Sequence, residues 1–194
     1  RLFGYFAYRQ TMRLSRVAPD SVWMHQAAGE ANESQGLHDA AIREYRQVLE
    51  IAPRRPGIHF RIGRTLLSRS SQGAPATADA SEALQAFERE LSLDPTNANA
   101  AYEIGELHRK EGRFETARDS FERALKHYPD FEEALVGLGR TLIALEKPAL
   151  ALRPLRAALA RNPQNEVAYY QLAQAHGALG QAADQANALA EFKR

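Results

Sequence analysis

Cysteine is absent from this chain of 194 residues, which excludes disulfide bonds, thiolate metal ligands and cysteine nucleophiles. Aromatic residues make up only 8% of the chain, and the small residue alanine supplies much of its apolar content. No apolar run approaches the roughly 18 residues of a membrane span. A chain without cysteine is compatible with the cytoplasm and with the periplasm, so the sequence predicts no particular localisation.

A strong excess of one charge is also missing, since the net charge is +1. Residues 1–70 carry 11 basic and 6 acidic side chains, and residues 71–194 carry 14 and 18. A nucleic-acid-binding protein normally has a dense basic stripe, so we expect no nucleic-acid partner. The chain starts at Arg1 without a visible signal peptide, and an upstream segment is compatible with that start.

What the chain does have is an internal repeat. Five prolines are separated by 34, 42, 34 and 34 residues: Pro19, Pro53, Pro95, Pro129 and Pro163. The one longer interval predicts an insertion of eight residues, which we place within 68–80 because this stretch is rich in turn and linker residues. We interpret the insertion as a surface loop. The alternative is a lid over one edge of a binding groove.

Other positions keep the same period when each repeat is numbered so that its closing proline is position 32. Small residues recur at position 8, as Gly29, Gly63, Gly105, Gly139 and Ala173, and at position 20, as Ala41, Ala83, Ala117 and Ala151. Position 24 is aromatic or leucine, as Tyr45, Phe87, Phe121, Leu155 and Leu189. This pattern resembles the tetratricopeptide repeat, a helix–turn–helix unit. Gln185 at position 20 and Glu90 at position 27 depart from it.

The repeat frame predicts local structure as well. Small residues at positions 8 and 20 allow the first helix of a repeat, helix A, to approach the second, helix B. The closing proline ends helix B. Asn97 and Asn165 suit the N-cap of the next helix A. The turns between the two helices contain Gly36, Gly112 and Gly180, where backbone freedom is useful.

The resemblance implies an all-α fold, a right-handed superhelical solenoid of about eleven stacked antiparallel helices. We expect residues 1–19 to be the second helix of an incomplete preceding repeat. The repeats then span 20–53, 54–95 with the insertion, 96–129, 130–163 and a truncated 164–194. Because solenoids normally need capped ends, we interpret the chain as a fragment of a longer protein, and the alternative is that a partner or a second copy covers its ends.

Catalytic and metal-binding motifs are not evident. The repeat frame explains the spacing of four histidines, because positions 4 and 11 are usually large aromatics: these are His25, His59, His108 and His176. There is no HExxH pattern, glycine-rich phosphate loop or nucleophile elbow. We therefore expect no enzymatic activity, no metal and no cofactor.

The family resemblance implies that helix A lines a concave groove that binds a protein or peptide. The predicted groove residues are Trp23, Phe60, Arg64, Tyr102, Glu106, Arg109, Val136, Arg140, Tyr170 and Gln174. Aromatic rings offer contact area to a peptide, and arginine offers bidentate recognition of a carboxylate. The alternative is that Arg64, Glu106 and Arg140 pair with one another across adjacent helices.

The leading functional prediction is a scaffold for protein–protein interaction. One alternative is an accessory or targeting module of a longer polypeptide, either an enzyme or an envelope assembly factor. Another is a self-association domain that uses the bare ends. The residues at positions 5 and 9 do not match the lysine and asparagine pattern of the family variant that clamps chaperone tails, so we do not expect such a tail as ligand.

Overall fold

The computed structural model describes residues 20–71 and 76–193. The predicted helix within 1–19 lies outside the described residues. The described part contains ten α-helices and no strand. The chain divides into two compact units, residues 1–95 and 96–194.

The first unit contains two antiparallel pairs. Its helices are α1 (Val22–Ser34), α2 (His38–Ile51), α3 (Ile58–Ser71) and α4 (Ala76–Leu93). Helix α1 packs on α2 and α3 packs on α4, while α2 joins the two pairs by packing on α3. Odd-numbered helices here and below are A helices, and even-numbered helices are B helices.

The second unit repeats the arrangement three times. Its helices are α5 (Ala98–Lys110), α6 (Phe114–His127), α7 (Glu132–Ala144), α8 (Pro148–Arg161), α9 (Glu166–Ala178) and α10 (Ala182–Phe192). Each A helix packs on its own B helix, each B helix packs on the next A helix, and neighbouring A helices also touch. The predicted all-α repeat of helix pairs is confirmed.

A close contact between glycine and a large side chain joins the two helices of a repeat. A Cβ on Gly105 would lie 2.8 Å from a ring carbon of Phe121, and one on Gly63 would lie 2.5 Å from Phe87. The same Phe121 ring would lie 2.7 Å from a Cβ on Gly137 in the next repeat. Phe121 thus fills the space between two repeats, and a methyl group at either glycine would overpack it.

The predicted helix ends are confirmed. The side chain of Asn97 accepts a hydrogen bond from the Ala100 N–H at 3.0 Å, and that of Asn165 accepts one from Ala168 at 2.7 Å. The turn glycines have positive φ angles, for example 76° at Gly112. Side chains other than glycine rarely adopt this conformation.

The prediction of a turn-rich insertion at 68–80 is wrong for most of that segment. Helix α3 continues to Ser71, and α4 begins at Ala76 and runs for 18 residues, against 14 in α6. Much of the extra length is therefore helical, and residues 72–75 lie outside the described residues. Serine and alanine are compatible with turns, but alanine is also the best helix former.

Arg69 and Asp79 hold the two ends of this segment together. The guanidinium of Arg69 donates to both carboxylate oxygens of Asp79, at 3.0 and 2.6 Å, and to Asp39 of α2 at 2.6 Å. These bonds raise the pKa of Arg69, with the Asp79 bond as the largest cause. Asp79 itself is buried. The bidentate geometry is the strong form of a charged hydrogen bond.

Glu90, the departure at position 27, is fully buried and has a structural role. One carboxylate oxygen accepts the Gly57 N–H at 2.7 Å, and the other accepts the Phe60 N–H at 3.2 Å. These are free N–H groups at the start of α3. Gly57 has no side chain to cap that helix, so the next helix supplies the cap.

Candidate peptide-binding site

The A-helix face of the first unit begins at Trp23, which is 62% exposed. The guanidinium carbon of Arg55 lies 4.2 Å from the centre of its ring. Arg55 also donates to the side-chain oxygen of Gln26 at 2.8 Å. This cation–π contact keeps Trp23 at the surface while covering one of its faces.

An ion-pair network around Arg61 ties α1 to α3. Arg61 lies 3.0 Å from the carboxylate of Glu30 and 3.2 Å from that of Glu33, and Glu33 accepts the Tyr45 hydroxyl at 2.7 Å. Burial and this hydrogen bond raise the pKa of Tyr45. The acids of the first A helix are therefore occupied by the protein itself.

Sequence reasoning missed Arg61, because position 6 of a repeat is not among the positions that the resemblance assigns to the groove. Two predicted residues lie on the same helix. Phe60 is half-buried and its ring lies 5.7 Å from that of Phe87, whereas Arg64 is exposed. Phe60 thus contributes to packing within the repeat as well as to the A-helix face.

In the second unit, the side chain of Tyr102 is half-buried and packs against other aromatic rings. Its ring lies 5.9 Å from that of Phe121 and 5.1 Å from that of Phe131. Burial, followed by the nearby charge of Glu106, raises the pKa of Tyr102 to about 12. The hydroxyl therefore stays protonated under ordinary conditions and remains able to donate a hydrogen bond.

Glu106 and Arg109 form a bidentate pair on α5. The two guanidinium nitrogens lie 2.9 and 2.8 Å from the two carboxylate oxygens. Burial alone would raise the pKa of Glu106, but the Arg109 bonds, together with the charges of Arg109 and Arg140, lower it. The pair neutralises both charges locally.

The remaining predicted residues differ in exposure. Val136 is buried, with 7% of its surface exposed. Arg140 on the same helix is partly exposed and forms no hydrogen bond or ion pair with any residue that the structure describes. Tyr170 is 43% exposed and lies 5.7 Å from the ring of Phe192, and Gln174 is exposed.

The alternative prediction of pairing across helices named Arg64, Glu106 and Arg140. In the first unit, the observed pairing across helices is instead that of Arg61 with Glu30 and Glu33. In the second unit, Glu106 bonds to Arg109 of its own helix, and Arg140 acts on Glu106 through space. Adjacent helices α5, α7 and α9 therefore present a neutral ion pair, an available arginine and an exposed ring. We call Glu106, Arg109, Arg140, Tyr170 and Gln174 the A-face site.

The four repeat-frame histidines lie within or against the helix pairs. His176 is buried and contacts the Gln181 side-chain oxygen at 2.5 Å, and His108 accepts from Arg113 at 3.1 Å. His25 contacts Glu44 at 2.7 Å, and burial lowers the pKa of His59. Among residues 20–71 and 76–193, there is no group of three or more side chains that could hold a metal ion.

Sequence profiles described as Tetratricopeptide repeat match residues 24–55, 76–130 and 102–166 of this chain. Together these ranges cover more than half of it. The chain belongs to the tetratricopeptide repeat family. The range 24–55 corresponds to the α1–α2 pair, and the other two ranges overlap and each extend over several helices.

Two curated relatives match most of the chain. Both are called Protein O-mannosyl-transferase TMTC3, one from Homo sapiens and one from Mus musculus, and both are 24% identical over 176 and 173 residues. The matches cover 87% and 86% of this chain but only 19% of each relative. The chain thus spans about a fifth of the length of these relatives.

Solved structures of repeat proteins have the same fold. A crystal structure of MamA superposes with a TM-score of 0.74 at 22% identity, covering 89% of this chain and 88% of that one. YrrB, described as a TPR protein with an unusual peptide-binding site, superposes with a TM-score of 0.77 at 16% identity, covering 94% and 90%. MamA from Desulfovibrio magneticus RS-1 has a TM-score of 0.72 at 17% identity, covering 89% and 91%.

These findings identify the chain as a helical repeat solenoid and a scaffold for protein–protein interaction. Within the part of the chain that the structure describes, no helix has both the length and the apolar content required to cross a bilayer.

Proposed function

We propose that the A-face site binds an extended acidic segment of a partner protein, with Arg140 as the main recognition residue. The supporting observation is that the Arg140 guanidinium has no hydrogen bond or ion pair with the described residues. A carboxylate on the partner would accept two parallel hydrogen bonds from it. The structural likeness to YrrB, a protein described as having a peptide-binding site, supports a ligand of this class.

The neighbouring residues determine what kind of segment fits. Glu106 and Arg109 neutralise each other, so this pair interacts only weakly with a charged ligand. Arg140 is then the positive charge of the A-face site. On the next A helix, α9, Tyr170 offers an exposed ring that suits an apolar or aromatic side chain of the ligand. The proposed ligand therefore carries one carboxylate and, several residues away, one apolar side chain.

The test is a selection of short peptides displayed on phage, followed by calorimetry with the selected sequences. We expect enrichment of peptides that carry an acid and an apolar residue. The substitution pair Arg140→Glu and Tyr170→Ala should weaken binding by roughly a hundredfold. Tyr102 is left intact because its ring packs between Phe121 and Phe131.

The control is Arg156→Glu, which makes the same charge change on the exposed side of a B helix. It should leave peptide affinity unchanged, and circular dichroism should show the same helicity for every variant. If the double variant binds the selected peptides as tightly as the control does, the A-face site is not where they bind.

A second candidate is that the chain acts as an accessory module of a longer polypeptide. It rests on the TMTC3 relatives, in which the matching region is 19% of the length. Reading the complete open reading frame tests it. A frame with no further domain would contradict it, whereas an adjoining enzyme or assembly domain would support it. In either case we propose that the repeats contribute binding and not catalysis, which an activity screen of the isolated chain would check.

A further inference from the structure

A second groove lies in the second unit, on the opposite side of α7 from Arg140. Its volume is about 680 Å³, within the range typical of ligand sites. Helices α6 and α8 form its walls and α7 forms its floor. The apolar lining residues are Leu125, Pro129, Leu135, Leu138, Leu142, Leu150, Pro154 and Ala157, and the charged ones are Arg118, Glu122, Lys126, Lys147 and Arg153. We call this the back groove.

The register of α7 explains why the two surfaces are separate. Leu135, Leu138 and Leu142 follow one another at intervals of three and four, so they share one helical stripe. At about 100° per residue, Arg140 falls on the other side of the helix from that stripe. A ligand in the back groove therefore does not occupy the A-face site.

The rim of the back groove carries four cations and one acid. Arg118 is paired with Asp119 at 2.6 Å and lies 4.0 Å from Glu122. The side chains of Lys126, Lys147 and Arg153 form no hydrogen bond or ion pair with the described residues. Three cations thus surround an apolar floor without internal compensation.

The start of α8 adds to the same electrostatic character. Lys147 occupies the N-cap position with no capping hydrogen bond, and the first turn of α8 contains no acidic residue. The positive end of the helix dipole is therefore not offset at the rim. Pro154 has no N–H, so the carbonyl of Leu150 lacks its usual helical donor.

Leu150 gives the groove an exposed apolar anchor. Its side chain is 60% exposed on the rim, beside Lys147 and within reach of the leucine floor. An apolar residue at such a place gains by being covered. The combination of an apolar floor, an exposed leucine and a basic rim is complementary to an amphipathic acidic surface.

We propose that the back groove docks an amphipathic acidic helix of a partner protein, placing its apolar stripe on the α7 leucines and its carboxylates on Lys126, Lys147 and Arg153. Amphipathic helices commonly bind apolar grooves in this way. The chain's own segment 1–19 is a poor occupant, because it carries four arginines and no acidic residue. The molecule would then hold two partners, one on each side of α7.

The probe is a fluorescein-labelled synthetic peptide of about 16 residues, with leucines at helical spacing and glutamates elsewhere. Two peptides serve as comparisons: the same sequence with lysines in place of the glutamates, and poly-glutamate of equal length. Fluorescence anisotropy with the whole chain measures affinity at low and moderate salt. We expect only the acidic amphipathic peptide to bind, and less tightly at higher salt.

Variants locate the binding. The pair Lys147→Glu and Arg153→Glu should weaken binding at least roughly tenfold, and Leu150→Asp should do the same through the apolar contact. Arg156→Glu on α8, which lies outside the groove lining, should have no effect. Circular dichroism confirms that each variant remains folded.

Several outcomes would overturn the proposal. Equal binding of the lysine peptide would show that the basic rim does not select the ligand. Equal binding of poly-glutamate would show that the groove binds any polyanion, with no need for apolar residues. If Arg140→Glu weakens binding and the pair Lys147→Glu and Arg153→Glu does not, the peptide binds at the A-face site and not in the back groove. If the acidic peptide shows no saturable binding, the back groove does not bind amphipathic acidic helices.

Discussion

The carboxylate of Glu90 is one of the few fully buried charged groups among the described residues, and it accepts the first N–H groups of α3. A helix start normally takes its cap from a residue directly before it. Here Gly57 offers none, and the acid comes from the second helix of the same repeat. Both carboxylate oxygens are used, so the negative charge lies at the positive end of the α3 dipole.

Replacing Glu90 with alanine should therefore destabilise the protein by about 2 kcal/mol, because two partly buried N–H groups would lose their partner. Glu90→Gln should cost less, since the amide oxygen can still accept one hydrogen bond. Urea unfolding followed by circular dichroism measures both. Glu88→Ala, at an exposed position of the same helix, should stay within about 0.5 kcal/mol; equal effects at residues 88 and 90 would argue against the cap.

The Glu106–Arg109 pair predicts a pH dependence at the residue scale. The folded protein lowers the pKa of Glu106 from its usual value of 4.5. The stabilisation is therefore present above that value and is lost as the pH falls through the lower folded pKa. Glu106→Gln should remove about 1 kcal/mol of acid-sensitive stability.

Comparing chemical unfolding of wild type and Glu106→Gln at neutral pH and in mild acid checks this sign. The difference between the two proteins should shrink as the pH falls. A difference that stays constant with pH would mean that the carboxylate charge is not the source of the stabilisation.

At the scale of elements, Arg69 joins three helices in the first unit. It bonds to Asp79 at the start of α4 and to Asp39 of α2, from the end of α3. The side chain of Asp79 is 6% exposed, so loss of its partner leaves a buried charge. Such losses are far costlier than those at the surface.

We expect Arg69→Ala to cost about 2 kcal/mol and to increase hydrogen exchange in the first turns of α4. The matched comparison is Arg46→Ala, which removes a 2.5 Å ion pair with Glu82 between side chains that are 54% and 44% exposed. That exposed pair should contribute less than about 0.5 kcal/mol. Similar costs for the two arginines would show that burial of Asp79 is not decisive.

The elements also show which features a sequence reveals. The repeat frame predicted the helix pairs, the close approach of their helices at small residues, and the Asn97 and Asn165 caps, because these depend on residue type at fixed spacing. It missed the helical course of 68–71 and 76–80, since serine and alanine suit either turn or helix. The Arg69–Asp79 bond, which links the two helical segments, forms only in the folded chain and has no counterpart in the repeat frame.

For the candidate site, the sequence predicted which repeat positions face the groove, but not which of their side chains are accessible to a ligand. The groove positions implied by the family resemblance include Arg140 and Tyr170, which are accessible, but they equally include Val136 and Tyr102, which are mostly packed. They do not include Arg61, whose pairing with Glu30 and Glu33 depends on the distance between two helices. The back groove was missed because it is formed by three helices, each of which alone has an ordinary amphipathic pattern.

At the scale of the whole molecule, the chain consists of two compact units, 1–95 and 96–194. Repeat proteins are stabilised by each repeat and by contacts between nearest neighbours. The second unit contains three consecutive helix pairs, which is enough to bury a continuous core.

A fragment spanning residues 96–194 should therefore fold alone. We expect a helical circular-dichroism spectrum and a cooperative thermal transition. Both surfaces on α7 would then be present in the fragment, and the acidic amphipathic peptide should bind it with the affinity of the whole chain. A fragment without a thermal transition would show that 96–194 depends on the rest of the protein.

The cap on α3 has a consequence for how the chain is made. The Glu90 carboxylate and the Gly57 N–H are 33 residues apart, and synthesis proceeds from the N-terminus. Helix α3 leaves the ribosome before its capping residue does, so its first turn stays incomplete until α4 follows. The second repeat would thus reach its final form in a single late step, when residue 90 emerges, and not helix by helix.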